Sequence, residues 1–214
     1  MSEPLVIISS RDTDLYSAGL AIAGEDHRLV IHEDPAETVV ATQGSDVALV
    51  LLDLQHYTDY PESLVTRLRQ TPSEPELLLL LPEGVEATGL PPECCLHSPV
   101  TSDQVVEQGR RLLGLQKVRR LSGIVGNSRP VREVLTTIAQ VGPLNVPVLV
   151  NGESGTGKEL VAQALHAQSR RADEPFVTIN VGSVSYTHLR AHETNDLISY
   201  AVFCLKKGGG GGGG

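Results

Sequence analysis

The feature that most constrains the fold is a glycine-rich loop, GESGTGKE at residues 152–159, between an apolar run and an amphipathic stretch. The run VPVLVN at 146–151 predicts a buried strand, and LVAQALHAQS after the loop predicts a helix. Glycines let the backbone turn tightly and point its N–H groups inward, and the following helix directs the positive end of its dipole at the same place. The order strand, loop, helix therefore predicts a site for a chain of phosphates.

The loop supplies the candidate binding residues of this P-loop. Its glycines are expected to wrap round the phosphates, and Lys158 to bring a positive charge to the β- and γ-phosphate oxygens. The general pattern ends in Ser or Thr, whose hydroxyl meets Mg²⁺, and here Glu159 stands at that position. The predicted cofactor-binding residues are Gly152, Glu153, Ser154, Gly155, Thr156, Gly157, Lys158 and Glu159.

An amphipathic helix is predicted ahead of the loop, over residues 128–142 (SRPVREVLTTIAQVG). Ser128 can cap it and Pro130 lies in its first turn. Apolar residues recur at helical spacing: Val131, Val134, Leu135, Ile138 and Val141.

The loop form GESGTGKE resembles that of the AAA+ domains of sigma-54-dependent, enhancer-binding transcriptional activators. The resemblance extends from Ile124 to about Ser183, through IVGNSRPVREVL before the loop and ELVAQALHAQSRRADEPFVTIN after it. It implies a truncated P-loop AAA+ α/β domain over 124–183, with ATP as ligand and Mg²⁺ beside it in the intact parent. It also implies a hexameric assembly that binds DNA and remodels the sigma-54 RNA polymerase holoenzyme through parts beyond Ser183. No catalytic residue is assigned, and this chain by itself is not expected to hydrolyse ATP.

The first half, residues 1–116, alternates apolar runs of strand length with polar-apolar stretches of helix length. The runs are 5–9, 28–33, 46–54, 76–81 and 94–97, and the stretches are 12–24, 36–44, 61–70 and 101–115. This alternation favours a parallel sheet covered on both faces. Five such repeats resemble the receiver domain of two-component response regulators, a flavodoxin-like doubly wound fold.

Asp53, at the end of the third apolar run, falls where receiver domains have their phosphoacceptor. The rest of the receiver pattern is missing: Ser9 and Ser10 stand in place of the acidic pair that holds Mg²⁺, and Ser98 in place of a lysine. A single carboxylate is a weak site for a hard cation. Two interpretations stay open, a working phosphoacceptor and, preferred, a solvated strand-end carboxylate on a degenerate receiver scaffold. No metal ligand is assigned.

Residues 103–121 predict one continuous helix, and residues 117–123 are assigned as a helical linker between the two domains. It carries a basic cluster of Arg110, Arg111, Lys117, Arg119 and Arg120. A solvated helix face is the favoured interpretation, and a signalling helix that pairs two subunits is the alternative, weakened by Gly109 and Gly114.

Charge and cysteine content limit the function classes. The net charge is −9, and residues 1–116 hold 6 basic against 19 acidic side chains. Phosphate repulsion therefore opposes nucleic-acid binding by the first half, which is expected to be regulatory or protein-binding. No apolar run is long enough to span a membrane, and no export signal is recognised, so a cytoplasmic location and no membrane partner are expected. Cys94 and Cys95 are adjacent and are not expected to form a disulfide with each other.

Residues 184–214 resemble a translated sequencing-library adapter ending in a run of glycines, and a true linker with a flexible glycine tail is the alternative. Two other functions stay open. One is a different P-loop NTPase, such as a small-molecule kinase or a transporter ATPase. The other is a signalling or binding module in which the receiver-like half does the work.

Overall fold

The structure is a computed structural model that describes residues 3–56, 62–87 and 89–178. The adapter-like segment 184–214 lies outside the described residues. The chain divides into two compact units, Met1–Lys117 and Val118–Gly214. The predicted domain limits at 116, 123 and 183 stay predictions.

The first unit is built on a five-stranded parallel sheet with the strand order β2-β1-β3-β4-β5. The strands are β1 (Leu5–Ser9), β2 (Arg28–His32), β3 (Val47–Asp53), β4 (Glu76–Leu81) and β5 (Cys95–His97). The three central strands, β1, β3 and β4, are buried along almost their whole length, because helices cover both faces of a parallel sheet. This strand order is that of the flavodoxin-like doubly wound fold, so the predicted fold class is confirmed.

Aspartate caps fix the starts of the first two helices. In α1 (Thr13–Ala23), the side chain of Asp12 accepts a hydrogen bond from the backbone N–H of Asp14 at 2.9 Å. In α2 (Pro35–Gln43), Asp34 accepts from the N–H of Ala36 at 2.8 Å. The third helix, α3, covers Glu62–Arg69. All three helices agree with the stretches predicted from the sequence to within a residue or two at each end.

The connection between β4 and β5 differs from a regular strand–helix repeat. Its described residues form turns and a short 3-10 helix at Pro92–Cys94, with no α-helix among them. The segment contains three prolines and two glycines, Pro82, Gly84, Gly89, Pro91 and Pro92. Proline lacks the N–H that a helix needs and glycine loses the most chain entropy there, so this segment is a poor helix former.

A long helix, α4 (Ser102–Ser122), follows the sheet and confirms the predicted continuous helix. Gly109 lets it approach α1 closely, since a Cβ on this glycine would lie 2.6 Å from Cδ1 of Ile22. The guanidinium of Arg110 donates two hydrogen bonds, at 3.2 and 2.9 Å, to the carbonyl of Ala21 near the end of α1. The amide of Gln116 donates to the carbonyls of Ser73 and Glu74 at 3.3 and 3.2 Å. Backbone carbonyls at several points of the first unit therefore hold α4 in place.

The described part of the second unit contains two helices, α5 (Arg129–Val141) and α6 (Lys158–Gln168), which pack against each other. α5 confirms the predicted amphipathic helix: Leu135 and Ile138 are buried. Ser128 occupies its N-cap position, but its side chain makes no capping hydrogen bond.

The prediction of a strand at 146–151 is wrong. These residues form no strand, and the side chain of Leu149 is 73% exposed. A buried parallel strand needs neighbouring strands to accept and donate its backbone hydrogen bonds. Within the described residues of the second unit, no other segment pairs with 146–151.

Among the described helices, none combines the length and the apolar character that crossing a membrane would require.

Candidate functional site

The glycine-rich loop lies where the sequence predicts it, directly before α6. Gly155 and Gly157 both have positive backbone φ angles, 82° and 83°. Gly157 is the N-cap of α6 in the left-handed conformation, with ψ at 19°. Side chains with a Cβ rarely adopt this region, so both glycines are required by the path of the chain.

Short-range hydrogen bonds close the loop upon itself. The hydroxyl of Thr156 donates to the carbonyl of Glu153 at 2.8 Å, and the N–H of Gly152 donates to Oδ1 of Asn151 at 2.9 Å. A Cβ added at Gly152 would come within 3.0 Å of Oγ1 of Thr156, which is tighter than ordinary contact. Glycine at 152 therefore permits the compact form of the loop.

The ammonium group of Lys158 lies over the same loop. Its Nζ donates to the carbonyl of Gly152 at 2.9 Å and also to the carbonyl of Glu153. Two neutral carbonyls leave the charge of Lys158 available to an anion that reaches the loop. A lysine ammonium is a compact, strongly hydrated point charge, suited to phosphate oxygens.

The start of α6 adds a second attraction for anions. The first backbone hydrogen bond across this start runs from the N–H of Val161 to the carbonyl of Gly157, at 3.2 Å. The amides before Val161 in the first turn have no carbonyl within the helix to accept from them, and the helix dipole is positive at this end. Left-handed glycines, a lysine and a helix N-terminus together fit a polyphosphate chain.

The residue at the position that contacts Mg²⁺ in the general P-loop pattern is different in this loop. Glu159, in the first turn of α6, is exposed and takes the position of the usual hydroxyl residue. The described residues contain no group of three His, Cys, Asp or Glu side chains that could hold a metal ion. The loop residues thus fit the phosphates, and we assign no metal ligand among them.

A second polar centre lies at the carboxyl end of the sheet in the first unit, around Asp53. Oγ of Ser10 donates to Oδ2 of Asp53 at 2.6 Å. Oδ1 of Asp53 accepts from the backbone N–H and the side-chain amide of Gln55, at 3.2 and 3.3 Å. Oγ of Ser98 in turn donates to Oε1 of Gln55 at 2.7 Å. The structure therefore brings together Ser10, Asp53 and Ser98, three residues at positions of the receiver pattern. It also adds Gln55 to this group.

Sequence reasoning missed Gln55. It lies two residues after Asp53, where a carboxylate commonly accepts from a nearby backbone N–H, and this spacing was the available signal. Ser9, the other serine at this strand end, is buried, and its hydroxyl makes no hydrogen bond to the described residues.

His97 and His166 each make a contact within the protein. Nε2 of His97 lies 2.9 Å from the carbonyl of Val85, and the ring of His166 packs edge-on against Phe176 with centroids 5.3 Å apart. Cys94 and Cys95 form no disulfide within the part of the chain that the structure describes. Burial, and secondarily the carboxylate of Glu93, raises the pKa of Cys95 to about 11, so this thiol stays protonated at neutral pH.

Comparison with known proteins places the loop within a recognised domain. Residues 124–209 match the family described as the Sigma-54 interaction domain, a match that runs past the predicted limit at 183. The Nif-specific regulatory protein of Rhodobacter capsulatus is 43% identical over 96 residues, which are 42% of this chain and 17% of that protein. The transcriptional regulatory protein ZraR of Salmonella typhi is 46% identical over 69 residues, 32% of this chain and 16% of that protein.

A solved structure is similar over more of the chain. NtrX from Brucella abortus, crystallised in complex with ADP, aligns with a TM-score of 0.44 at 24% identity and covers 88% of this chain and 45% of that one.

The glycine loop and the helix behind it define a P-loop domain of the AAA+ class. Residues 124–209 match the Sigma-54 interaction domain, and the resemblance to sigma-54-dependent activators is confirmed for this part of the chain. The matches span about a sixth of the length of these relatives, 17% and 16%.

Proposed function

We propose that this chain is an ATP-binding regulator of sigma-54-dependent transcription, with the phosphates of ATP held by residues 152–159. The observation that carries the proposal is the left-handed glycine loop with Lys158 at the start of α6, inside the segment that matches the Sigma-54 interaction domain. The loop geometry supports phosphate binding, and the family match supports the regulatory role.

Each part of the loop has a role in this proposal. Gly155 and Gly157 turn backbone N–H groups towards the phosphates, and the first-turn amides of α6 donate to them. Lys158 exchanges its hydrogen bonds to the carbonyls of Gly152 and Glu153 for contacts with phosphate oxygens. Glu153, Ser154 and Thr156 complete the loop around the phosphates. Glu159 lies at the start of α6, at the sequence position where the general P-loop pattern has the hydroxyl residue that would meet Mg²⁺.

The wider activity belongs to the proposal as well. The named relatives are regulatory proteins, one of them a transcriptional regulator. A cytoplasmic location, assembly into a homo-oligomer, binding to DNA and remodelling of the sigma-54 RNA polymerase holoenzyme follow from the same family. ATP supplies the free energy of hydrolysis for that remodelling in the intact protein.

ATP binding to the full chain tests the proposal. Calorimetric titration of the wild type with ATP is expected to show saturable binding. The substitution Lys158→Ala is expected to weaken the ATP affinity at least about tenfold, which corresponds to about 1.4 kcal/mol. Lys117→Ala is the matched control, because Lys117 is an exposed lysine of α4 and not part of the loop 152–159, and it should leave the affinity unchanged. Equal ATP affinities in the wild type and Lys158→Ala would contradict the proposed site.

A further inference from the structure

The centre around Asp53 is fully engaged by neutral hydrogen-bond donors. Both carboxylate oxygens accept, Oδ2 from Ser10 at 2.6 Å and Oδ1 from Gln55 at 3.2 and 3.3 Å. A short O–H···O⁻ bond is charge-assisted and about twice as strong as a neutral one. Both oxygens of the Asp53 carboxyl group are therefore occupied by hydroxyl or amide donors of the protein.

The same hydrogen bonds join the ends of three strands and reach the start of α1. Ser10 follows β1, Asp53 ends β3, and Ser98 follows β5. Oγ of Ser10 also accepts from the N–H of Asp12, the N-cap residue of α1, at 2.9 Å. Ser98 lies four residues before the start of α4. We name the set Ser10, Asp53, Gln55 and Ser98 the strand-end clamp.

The donor set does not suit the Mg²⁺ that a receiver-type phosphoacceptor requires. Magnesium prefers several carboxylate, phosphate or water oxygens in octahedral geometry at about 2.0–2.1 Å. In the clamp, the hydroxyl hydrogen of Ser10 points at Asp53, and the amide of Gln55 donates to the other oxygen. Asp12, the N-cap residue of α1, accepts from the N–H of Asp14. Asp53 thus faces donors where a cation would need acceptors.

We propose that the strand-end clamp is a metal-independent lock, which holds the first unit in one conformation without phosphorylation of Asp53. Hydrogen bonds from Ser10 and Gln55 take the place of a cation and a phosphoryl group at the carboxyl end of the sheet. The lock then leaves no role for phosphoryl transfer to Asp53 in this unit. The proposal concerns the first unit alone and does not depend on ATP binding by the loop at 152–159.

Incubation of the full chain with acetyl phosphate and Mg²⁺, followed by intact mass spectrometry, tests the lock directly. No phosphoryl adduct is expected on the wild type, and Mg²⁺ is expected to leave its melting temperature unchanged. An adduct on the wild type that Asp53→Asn removes would overturn the proposal. The proposal would also be overturned if Mg²⁺ raised the melting temperature of the wild type and Asp53→Asn abolished this effect.

Variants of Ser10 test whether the clamp holds the fold. Ser10→Ala removes the short hydrogen bond and is expected to lower the melting temperature of the full chain by about 5 °C. Circular dichroism measures the melting temperature. Ser17→Ala is the matched control, since Ser17 is an exposed serine of α1, and it should not lower the melting temperature. If Ser10→Ala melts at the same temperature as Ser17→Ala, the clamp does not act as a lock.

A gain of cation binding gives a complementary test. Ser10→Asp places a second carboxylate beside Asp53, so that like charges repel and two acidic groups face the same point. This variant is expected to melt below the wild type without Mg²⁺ and to recover when Mg²⁺ is added. A response to Mg²⁺ that is equal in the wild type and Ser10→Asp would show that the hydroxyl of Ser10 does not exclude the cation, and would overturn the proposal. Should Ser10→Asp fail to fold, Ser10→Ala and the acetyl phosphate assay still decide.

Discussion

Cys95 is the residue whose protonation the fold changes most clearly. Its thiol is half-buried near the carboxylate of Glu93, and both burial and that charge disfavour the thiolate. Its pKa is raised from 9.0 to about 11. The folded state therefore binds this proton more tightly than the unfolded chain does.

The sign of the resulting pH dependence follows from proton counting. Between about pH 9 and pH 11 the unfolded chain has lost the proton and the folded chain keeps it, so the free energy of unfolding falls as the pH rises through this window. Below that window the contribution of Cys95 is fully present. Urea unfolding of the wild type and Cys95→Ala across the window should show the stability difference shrinking with pH. A difference that stays constant would contradict the raised pKa.

The residues around Asp53 show how far sequence reasoning reaches at this scale. Parallel strands end at one edge of a sheet, so apolar runs alone suffice to bring Ser10, Asp53 and Ser98 together. The hydrogen bonds between them depend on side-chain rotamers, which no sequence pattern specifies. For that reason the bridging role of Gln55 emerged only from the structure.

At the scale of single elements, two glycines of α4 have opposite surroundings. A Cβ at Gly109 would lie 2.6 and 2.9 Å from Cδ1 and Cγ1 of the buried Ile22, whereas a Cβ at Gly114 meets nothing within 4 Å. From sequence alone, both glycines are expected to weaken the helix. In the structure, Gly109 is a packing contact between α4 and α1.

Alanine substitutions should separate these two roles. Gly114→Ala is expected to raise the free energy of unfolding by about 0.5–1 kcal/mol, because alanine loses less backbone entropy in a helix. Gly109→Ala gains the same propensity but overpacks Ile22, at a cost of about 1–3 kcal/mol, and should be less stable than the wild type. Urea unfolding measures both, and adding Ile22→Val to Gly109→Ala should recover part of the loss. Equal effects of the two alanines would mean that α4 and α1 are not in close contact.

Sequence patterns predicted well those helices and strands whose formation depends on neighbouring residues in the sequence. Apolar runs such as 5–9 and 76–81 became strands, and capping aspartates marked the starts of α1 and α2. The run 146–151 has the same apolar character but forms no strand, because strand formation requires a partner elsewhere in the chain. Local pattern alone does not supply that partner.

At the scale of the whole molecule, the two units differ in how completely they bury their apolar residues. In the first unit, the central strands are inaccessible to solvent, with Ile7, Leu51 and Leu79 each 0% exposed. In the second unit, Val125 and Leu149 are 86% and 73% exposed. Large exposed apolar side chains of this kind mark surfaces that bind other protein segments or promote aggregation.

Amide hydrogen exchange of the full chain should reveal this difference directly. Backbone N–H groups of β1, β3 and β4 are hydrogen-bonded in a buried sheet, so their exchange requires unfolding of the first unit and should be slow. The amides of 146–151 lie outside any strand or helix and should exchange at rates close to those of an unfolded peptide. Peptide-resolved mass spectrometry distinguishes the two sets within one sample, with α5 as an internal reference for helical protection in the second unit. Slow exchange throughout 146–151 would mean that this segment is paired in solution, and the strand predicted from its sequence would then be restored.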